Sequence, residues 1–488
     1  RQELAYDLVE GPQERYRLDW PGKREALALA NAPIRKTLRP CPEESVDFDT
    51  TQNLYIEGDN LDALKLLQET YLGQVKMIYI DPPYNTGNDF IYDDNFSMSR
   101  SEYQEGSGAV DEEGNAMFDE EKWKQNSSAS GRFHSEWLSM MYPRLKLARN
   151  LLRNDGAVFI SIDDSEIENL KRMAAEVFGE SNFVGTIVWA AGRKNDSKYI
   201  SKSHEYIICY ARDLGTLKEK NITWQVRKKG LDEINAAYAA LRRTHGDDNA
   251  AVAKGLKAWY ANLPDSDPSK RNKHYSSVDA RGIFFPSDLR KPQPTSRSRY
   301  DILHPKTGKP VNMHPNGWSF APERMEILLA EDRIKFGPDE TTRPTLKVYL
   351  AEADLEAVYS VLYQDGRGAS KRLADLMDGR VFEFPKDETI LQMLIEMTSN
   401  KRDIILDFFS GSATTAHAVM QLNAEDGGTR RHIMVQLPEP CHEKSEAYKA
   451  GYKTIAEIGK ERIRRAGKKI RKELEEKLSK EAKASEEH

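Results

Sequence analysis

The sequence predicts an α/β fold built on a mainly parallel sheet, and three observations carry that expectation. The apolar run Val75, Met77, Ile78, Tyr79 and Ile80 reads as a strand buried on both faces. Ahead of it, Asn53 to Glu57 reads as a strand, Gly58-Asp59-Asn60 as a turn with an N-cap, and Leu61 to Thr70 as a helix with Leu61, Leu64 and Leu67 on one face. Together they form a right-handed βαβ unit, which implies parallel pairing. Far downstream, the strand Ile404 to Asp407 passes through the small-residue turn Phe408 to Thr415 into a helix, Ala416 to Leu422.

The remaining elements follow in chain order. Residues 1–50 carry scattered charge, the turn Trp20-Pro21-Gly22 and a short helical pattern, Arg24 to Ala32, and read as a lead-in arm. Residues 51–212 form the first half of the core. Within them 88–130 is polar and acidic, a loop that either closes over a ligand or is an insertion without a role. Apolar periodicity returns from Trp137 to Leu152 and stops at Asn154-Asp155-Gly156. The strand Ala157 to Ile162, a helix from the N-cap Asp163-Asp164-Ser165 to about Phe178, and strands at Ile187 to Ala190 and Tyr206 to Tyr210 complete this half. Residues 213–378 break the pattern and read as an inserted domain: a helical stretch, Leu231 to Asn262, then proline-rich, basic, aromatic sequence. Residues 379–445 supply the second half of the core, with the helix Ile390 to Thr398 and a strand, His432 to Val435, that ends in Gln436. Residues 446–488 form a basic helix and tail.

A chain of 488 residues with 39% apolar content is long enough for two or three domains. No apolar run approaches about 18 residues and no signal pattern opens the chain, so a soluble, cytoplasmic protein without a membrane partner is expected. The first residue is Arg1 rather than Met, as in a fragment. Cys41, Cys209 and Cys441 lie far apart without metal-ligand spacing, which fits a reducing compartment and predicts no metal site. The net charge of −6 hides a strong asymmetry. Gly87 to Glu121 holds eleven acidic residues against one Arg, whereas Ser269 to Pro310 holds ten Lys or Arg against three Asp. Only the second stretch is suited to lie on DNA, through Arg290, Lys291, Arg297, Arg299 and Lys306, the other reading being a solvated basic loop.

The motif with the most chemistry is Asp81-Pro82-Pro83-Tyr84-Asn85-Thr86-Gly87, placed at the carboxyl end of the 75–80 strand. Ligands bind at that edge of open α/β sheets. Two prolines fix φ and remove two N–H donors, leaving nearby carbonyls free to accept hydrogen bonds. A carboxylate, a rigid carbonyl and an aromatic ring suit a flat, amino-bearing ring such as adenine. Asp81 and the Pro82 carbonyl would accept from the amino group while Tyr84 stacks on the ring. The turn after Asp407 exposes backbone N–H groups and a helix N-terminus, as dinucleotide-binding loops do.

On Asp81 to Gly87, the chain resembles the amino-methylating DNA methyltransferases, and most closely the Mod subunits of type III restriction-modification systems. The resemblance runs from about Tyr16 to Lys472 and is strongest in Asn53 to Asn88, in Gly131 to Asp164 and around Asp407. It implies a Rossmann-like S-adenosylmethionine-dependent methyltransferase sheet, circularly rearranged with the base motif first and the cofactor motif last, and an inserted target-recognition domain. It further implies adenine-N6 methylation of a nucleotide flipped out of double-stranded DNA. The catalytic residues would be Asp81, Pro82, Pro83 and Tyr84, with the acidic loop closing over the base. The cofactor would be S-adenosyl-L-methionine, held by Asp407, Phe409, Gly411, Ser412 and Thr414. Lys386 would pair with its carboxylate, Gln436 or Glu439 would take its ribose, and Asp59 would either contact its adenine or simply cap a helix. Ala413, where many relatives have glycine, is expected to avoid positive φ.

The same resemblance implies a restriction (Res) helicase-nuclease subunit and a second Mod copy as partners, in a bacterial or archaeal cytoplasm. The tail helix, Tyr452 to Lys472, with nine Lys or Arg against two Glu, would lie on the DNA backbone or in solvent. Cytosine-N4 methylation and a non-catalytic recognition subunit are the alternatives. Relatives of the first kind usually begin the motif with Ser, which Asp81 disfavours, and an intact Asp81 to Tyr84 argues against the second.

Overall fold

The computed structural model describes residues 18–87, 90–92, 123–125, 133–190, 192, 197–265, 267–293 and 298–486. Arg297 and most of the acidic stretch 88–130 lie outside them. The chain divides into two compact units, one running up to Trp224 and resuming at Val358, the other Gln225–Ala357.

In chain order the strands are β1 (Leu54–Glu57), β2 (Val75–Ile80), β3 (Phe90–Tyr92), β4 (Trp123–Gln125), β5 (Leu152–Ile162), β6 (Phe183–Ala190) and β7 (Glu205–Ala211), followed in the second unit by β8 (Val226–Arg227), β9 (Ser277–Asp279), β10 (Gly282–Asp288), β11 (Ile334–Lys335), β12 (Thr345–Tyr349) and β13 (Leu355–Glu356). The first unit then adds β14 (Val361–Tyr363), β15 (Ile404–Asp407) and β16 (Arg431–Gln436). Its eight-stranded sheet has the order β1-β16-β15-β2-β5-β7-β6-β14. From β1 to β5 every pairing is parallel, whereas β7 runs antiparallel to both β5 and β6. The predicted Rossmann-like, circularly rearranged sheet is therefore present. Because β15 and β2 are neighbours in register, Leu406 beside Ile78, the turns after Asp407 and Asp81 open at the same edge.

All six residues of β2 are buried, as a central parallel strand requires. One layer over the sheet comes from the helices Asn60–Tyr71, Phe133–Leu151 and Ile167–Phe178, whose Leu64, Leu67, Trp137, Leu145, Leu170 and Met173 share a core with Ile78, Ile80, Ile160 and Leu406. No helix among the described residues is long and apolar enough to cross a membrane.

Three expectations need correction. The helix predicted to stop at Asn154-Asp155-Gly156 ends at Leu151 and passes directly into β5, with those residues forming a bulge opposite Lys76. The bulge is useful because Lys76 is buried, and its ammonium donates to the Asp155 carbonyl at 2.5 Å and pairs with the Asp155 carboxylate at 3.3 Å. A Cβ at Gly156 would lie 2.8 Å from the Lys76 carbonyl oxygen and 2.9 Å from that of Arg153, so only glycine fits. Gly156→Ala is expected to cost about 2–3 kcal/mol, read as a lower denaturant midpoint at unchanged slope.

The inserted unit is narrower than 213–378. β14 pairs with β6, and Leu373 and Met377 of the helix Arg367–Met377 pack with Ile458, so the chain after Val358 belongs to the first unit. Within the second unit, the helices Leu231–His245 and Asn249–Asn262 enclose Ile234, Leu256 and Tyr260, beside a four-stranded sheet of order β11-β12-β10-β9.

The tail helix is packed along its first part rather than solvated throughout, while Lys468, Lys469, Arg471 and Lys472 are exposed. The helix Ile455–Glu486 carries Ala456, Ile458, Arg462 and Ala466 in buried positions, packed against the helix Thr414–Asp426. A pattern dominated by lysine and arginine concealed an apolar stripe with one buried guanidinium.

Candidate active site

Turn chemistry and long-range anchors shape the loop after β2. Asn85 takes a left-handed φ of 61° and is buried, its amide donating to Glu166 Oε1 at 2.5 Å and to the Phe133 carbonyl at 3.3 Å. Trp137 Nε1 donates to the Pro83 carbonyl at 2.7 Å. Pro82, also buried, lies between that anchored carbonyl and Asp81. These bonds hold the two prolines against the Phe133 helix and so fix the backbone from which the Asp81 carboxyl projects.

Asp81 is half-buried, with 29% of its side chain exposed, and its buried Oδ1 makes no hydrogen bond. The nearest cation is Lys386, whose Nζ is 3.3 Å from that oxygen. Lys386 Nζ also donates to Glu205 Oε2 at 2.7 Å and to the Tyr84 hydroxyl at 2.5 Å, and lies 4.8 Å from the centre of the Tyr84 ring. Tyr84 in turn donates to Glu205 Oε2 at 2.7 Å. Burial raises the Asp81 pKa above the ordinary carboxylate value, with Lys386 opposing the rise and Glu205 adding to it. Burial works against the Lys386 ammonium, yet the two carboxylates outweigh it and hold its pKa above the usual lysine value. Tyr84 is kept firmly as a phenol by burial and by the same two carboxylates.

The second turn lies beside the first. Asp407 is buried and its oxygens are taken by local donors, Thr415 Oγ1 at 2.6 Å and the Phe409 N–H at 3.0 Å. Burial still pushes its pKa up to about 7. Gly411 has φ +51°, and its N–H donates to Gln436 Oε1 at 2.6 Å. Ala413, expected to avoid positive φ, has φ 60° and ψ 41°. Its N–H donates to the Ser410 carbonyl at 2.8 Å, and its methyl is buried with Ala416 and Met434. That packing offsets the roughly 1–2 kcal/mol cost of a left-handed alanine. Ser410 Oγ is buried and makes no hydrogen bond.

Of the predicted cofactor residues, the structure brings Asp407, Phe409, Gly411, Ser412, Thr414 and Gln436 together. It sets Lys386 beside Asp81 instead. Asp59 is a helix cap, accepting from the Asp62 N–H at 3.1 Å, with Arg144 Nη2 3.6 Å away. Burial pushes the Glu439 carboxyl up.

Three residues with long-range roles had no local signal. Fully buried Arg144 donates through Nε to Asn60 Oδ1 at 2.6 Å, and Asn60 Nδ2 donates to the Phe408 carbonyl at 2.8 Å, so one side chain ties the Asp59 turn to the Asp407 turn. Buried Arg462 donates through Nη1 to Ser412 Oγ at 2.9 Å and Thr414 Oγ1 at 2.7 Å. Glu205 stood one residue before a predicted strand, where nothing in the spacing separated it from an ordinary surface acid. A conspicuous clue was Gly459, where a Cβ would meet the Tyr55 hydroxyl at 2.7 Å and the Gly411 carbonyl oxygen at 3.1 Å.

In the second unit, Arg290, Arg299 and Lys306 are exposed and Lys291 is half-buried, Arg290 lying 3.8 Å from Asp288 and Arg299 donating to the Pro315 carbonyl.

Comparison with known proteins gives a consistent result. Residues 75–468 match a family described as DNA methylase. The chain is 37% identical over 469 residues to the type III restriction-modification enzyme EcoP15I Mod subunit of Escherichia coli, covering 95% of this chain and 71% of that one. It is 34% identical to the EcoPI Mod subunit of Escherichia phage P1, with 94% and 69% covered. Among solved structures, the PvuII cytosine-N4-specific DNA methyltransferase aligns with a TM-score of 0.35 at 12% identity, over 85% of this chain and 94% of that one.

Proposed function

Because the chain belongs to the DNA methylase family, among the Mod subunits of type III restriction-modification enzymes, we propose that it moves a methyl group from S-adenosyl-L-methionine to N6 of an adenine flipped out of double-stranded DNA. The observation that carries this reading is Asp81 Oδ1, buried, without a hydrogen bond and 3.3 Å from the Lys386 ammonium, at the sheet edge where the turn after Asp407 also opens. A buried acceptor held only by a 3.3 Å ion pair to Lys386 still has room for a donor from a ligand.

The second turn fits the cofactor on the same grounds. Ser410 Oγ is buried without a hydrogen-bond partner, Gly411 takes a left-handed φ of +51° that turns the chain, and the helix Thr414–Asp426 starts from that turn. Asp407, Phe409, Gly411, Ser412, Thr414 and Gln436 would hold it, with Asp407 supplying negative charge. When bound, the cofactor supplies an electrophilic methyl group on a sulfonium.

The protein's part is positioning and charge. Asp81 and the Pro82 carbonyl accept the two amino hydrogens of the base, which draws the nitrogen lone pair out of conjugation and aims it at the methyl. Tyr84 stacks on the ring, Pro83 stays fixed by Trp137, and the ionised Asp81 faces the positive charge that develops on nitrogen. The proton lost from nitrogen after transfer has Asp81 as its nearest acceptor. Since Asp81 must be ionised and its pKa is raised, kcat/KM is expected to fall about tenfold per pH unit on an acid limb above the ordinary carboxylate value of about 3.9. A limb at or below that value would contradict the role given to Asp81.

Basic residues of the insert, Arg290, Lys291, Arg297, Arg299 and Lys306, would contact DNA. A restriction subunit and a second Mod copy are the partners this reading carries. The test is modification-sensitive sequencing of genomic DNA from methylation-deficient cells expressing the chain. N6-methyladenine at one short sequence supports the proposal. N4-methylcytosine would replace the target base, and soluble, DNA-binding protein without any modified base would indicate a recognition-only subunit.

A further inference from the structure

Glu205 opens β7, and because β7 runs antiparallel to β5, that end lies at the edge where the Asp81 and Asp407 turns open. Its register partner on β6 is Trp189, whose ring lies 5.8 Å from Lys386 Nζ. A single oxygen, Oε2, is 2.7 Å from the Tyr84 hydroxyl and 2.7 Å from Lys386 Nζ. The carboxylate is mostly buried, with 17% of its side chain exposed. A glutamate so placed costs desolvation, so it needs a reason to be there.

The Lys386 ammonium stands between two carboxylates, and the distances show how it divides itself: 2.7 Å to Glu205 and 3.3 Å to Asp81. A charge-assisted N–H···O bond has its optimum near about 2.7–2.9 Å. With Asp81 as its only acid, the ammonium would close to that distance and occupy the oxygen that the base needs. Two carboxylates against one ammonium also leave the site with one net negative charge. That sign favours a reaction in which the base nitrogen becomes positive, and it acts where water is scarce.

We propose that Glu205 is a positioning residue of the base site: it holds Lys386 and Tyr84 to one side, keeping Asp81 Oδ1 open to the amino group of the target base and the site net negative. The inference rests on the methyltransferase reading of Asp81 and adds a residue and a role to it. Glu205 acts through its two neighbours, Lys386 and Tyr84.

The experiment uses the full chain with Glu205→Gln, which keeps the shape and an acceptor but removes the charge, and Glu205→Asp, which keeps the charge. For Glu205→Gln, a crystal structure is expected to show Lys386 Nζ within about 2.9 Å of Asp81. Single-turnover methylation should slow by about 10- to 100-fold, with the affinity for S-adenosyl-L-methionine, measured calorimetrically, unchanged. The acid limb of kcat/KM should move to lower pH, because the negative neighbour is gone and Lys386 is closer. Of the other groups within electrostatic reach of Asp81, Tyr79 and Asp407 keep their side-chain hydrogen bonds, to Ser161 and to Thr415, while the Tyr84 hydroxyl keeps an uncharged acceptor in the glutamine. Glu205→Asp should recover most of the rate.

A slower rate with an unmoved acid limb, matched by a loss of folded protein, would reduce Glu205 to a structural residue and overturn the proposal. An unchanged Lys386 position in the variant crystal would overturn it as well. If the unsubstituted chain methylates nothing, the functional reading fails by itself, while the crystal comparison still tests the contact between Glu205 and Lys386.

Discussion

Asp81→Ala is expected to lower methyl transfer by on the order of a thousandfold while leaving cofactor affinity close to that of the parent chain. The size follows from two losses at once, the acceptor that orients the amino group and the negative charge that faces the developing cation. Fold stability should hold or rise. Asp81 Oδ1 makes no hydrogen bond, and burial raises the carboxyl pKa, so the ionised group is less favourable in the folded chain than in the unfolded one. The sign follows directly: a carboxyl with a raised folded pKa subtracts stability above its unfolded pKa, and removing it at pH 7 restores that amount. Thermal unfolding and calorimetric titration with S-adenosyl-L-methionine check both halves. A variant that loses activity because it unfolds would show that Asp81 is a structural residue.

Arg462→Met is expected to have the largest effect outside the base site. The guanidinium is almost completely buried, and burial lowers its pKa to about 10 despite Glu388, whose Oε2 lies 3.8 Å from Nη2. Methionine matches its length and removes the desolvation cost, which favours the variant. Against that, Ser412 Oγ and Thr414 Oγ1 lose their donor, and Glu388 loses one of its two cations, the other being Arg372. Leaving partners of a buried charge unpaired costs about 3–5 kcal/mol, and retention of Arg372 places the expected value near the lower end, about 3 kcal/mol. The two hydroxyls belong to the turn that would hold the cofactor, so calorimetric affinity for S-adenosyl-L-methionine should weaken by about tenfold or more. Arg462→Lys should recover only part of it, since one ammonium lacks the fork that serves two hydroxyls and a carboxylate. Equal affinity in all three proteins would separate the C-terminal helix from the cofactor turn.

Both variants bear on why the site is divided along the chain. The loop after β2 and the turn after β15 are set by strands that pair side by side, and their distance in sequence is closed by the sheet. The Phe133 helix holds the first loop through Trp137 and the second through Arg144 and Asn60. The C-terminal helix holds the second turn through Arg462. Neither helix carries a residue that suggests chemistry in isolation, yet each has a buried donor aimed at a backbone or hydroxyl acceptor of the site.

What the amino-acid order alone determined was the local part. Apolar strands at 75–80 and 404–407, each followed by a turn rich in proline or small residues, announced parallel strands with ligand-bearing ends, because burial on both faces and positive φ leave a mark on neighbouring residues. Asp81 and Asp407 were legible for that reason. Only the tertiary structure decided the alliances: Lys386 with Asp81 and Glu205 rather than at the Asp407 turn, Asp59 as a helix cap, Arg462 inside a helix that looked like a basic tail, and the bulge at 153–156 that receives Lys76. A side chain's partner across the sheet depends on strand order and register, which are global properties. Lysine, arginine and glutamate have the same local pattern whether they face water or each other.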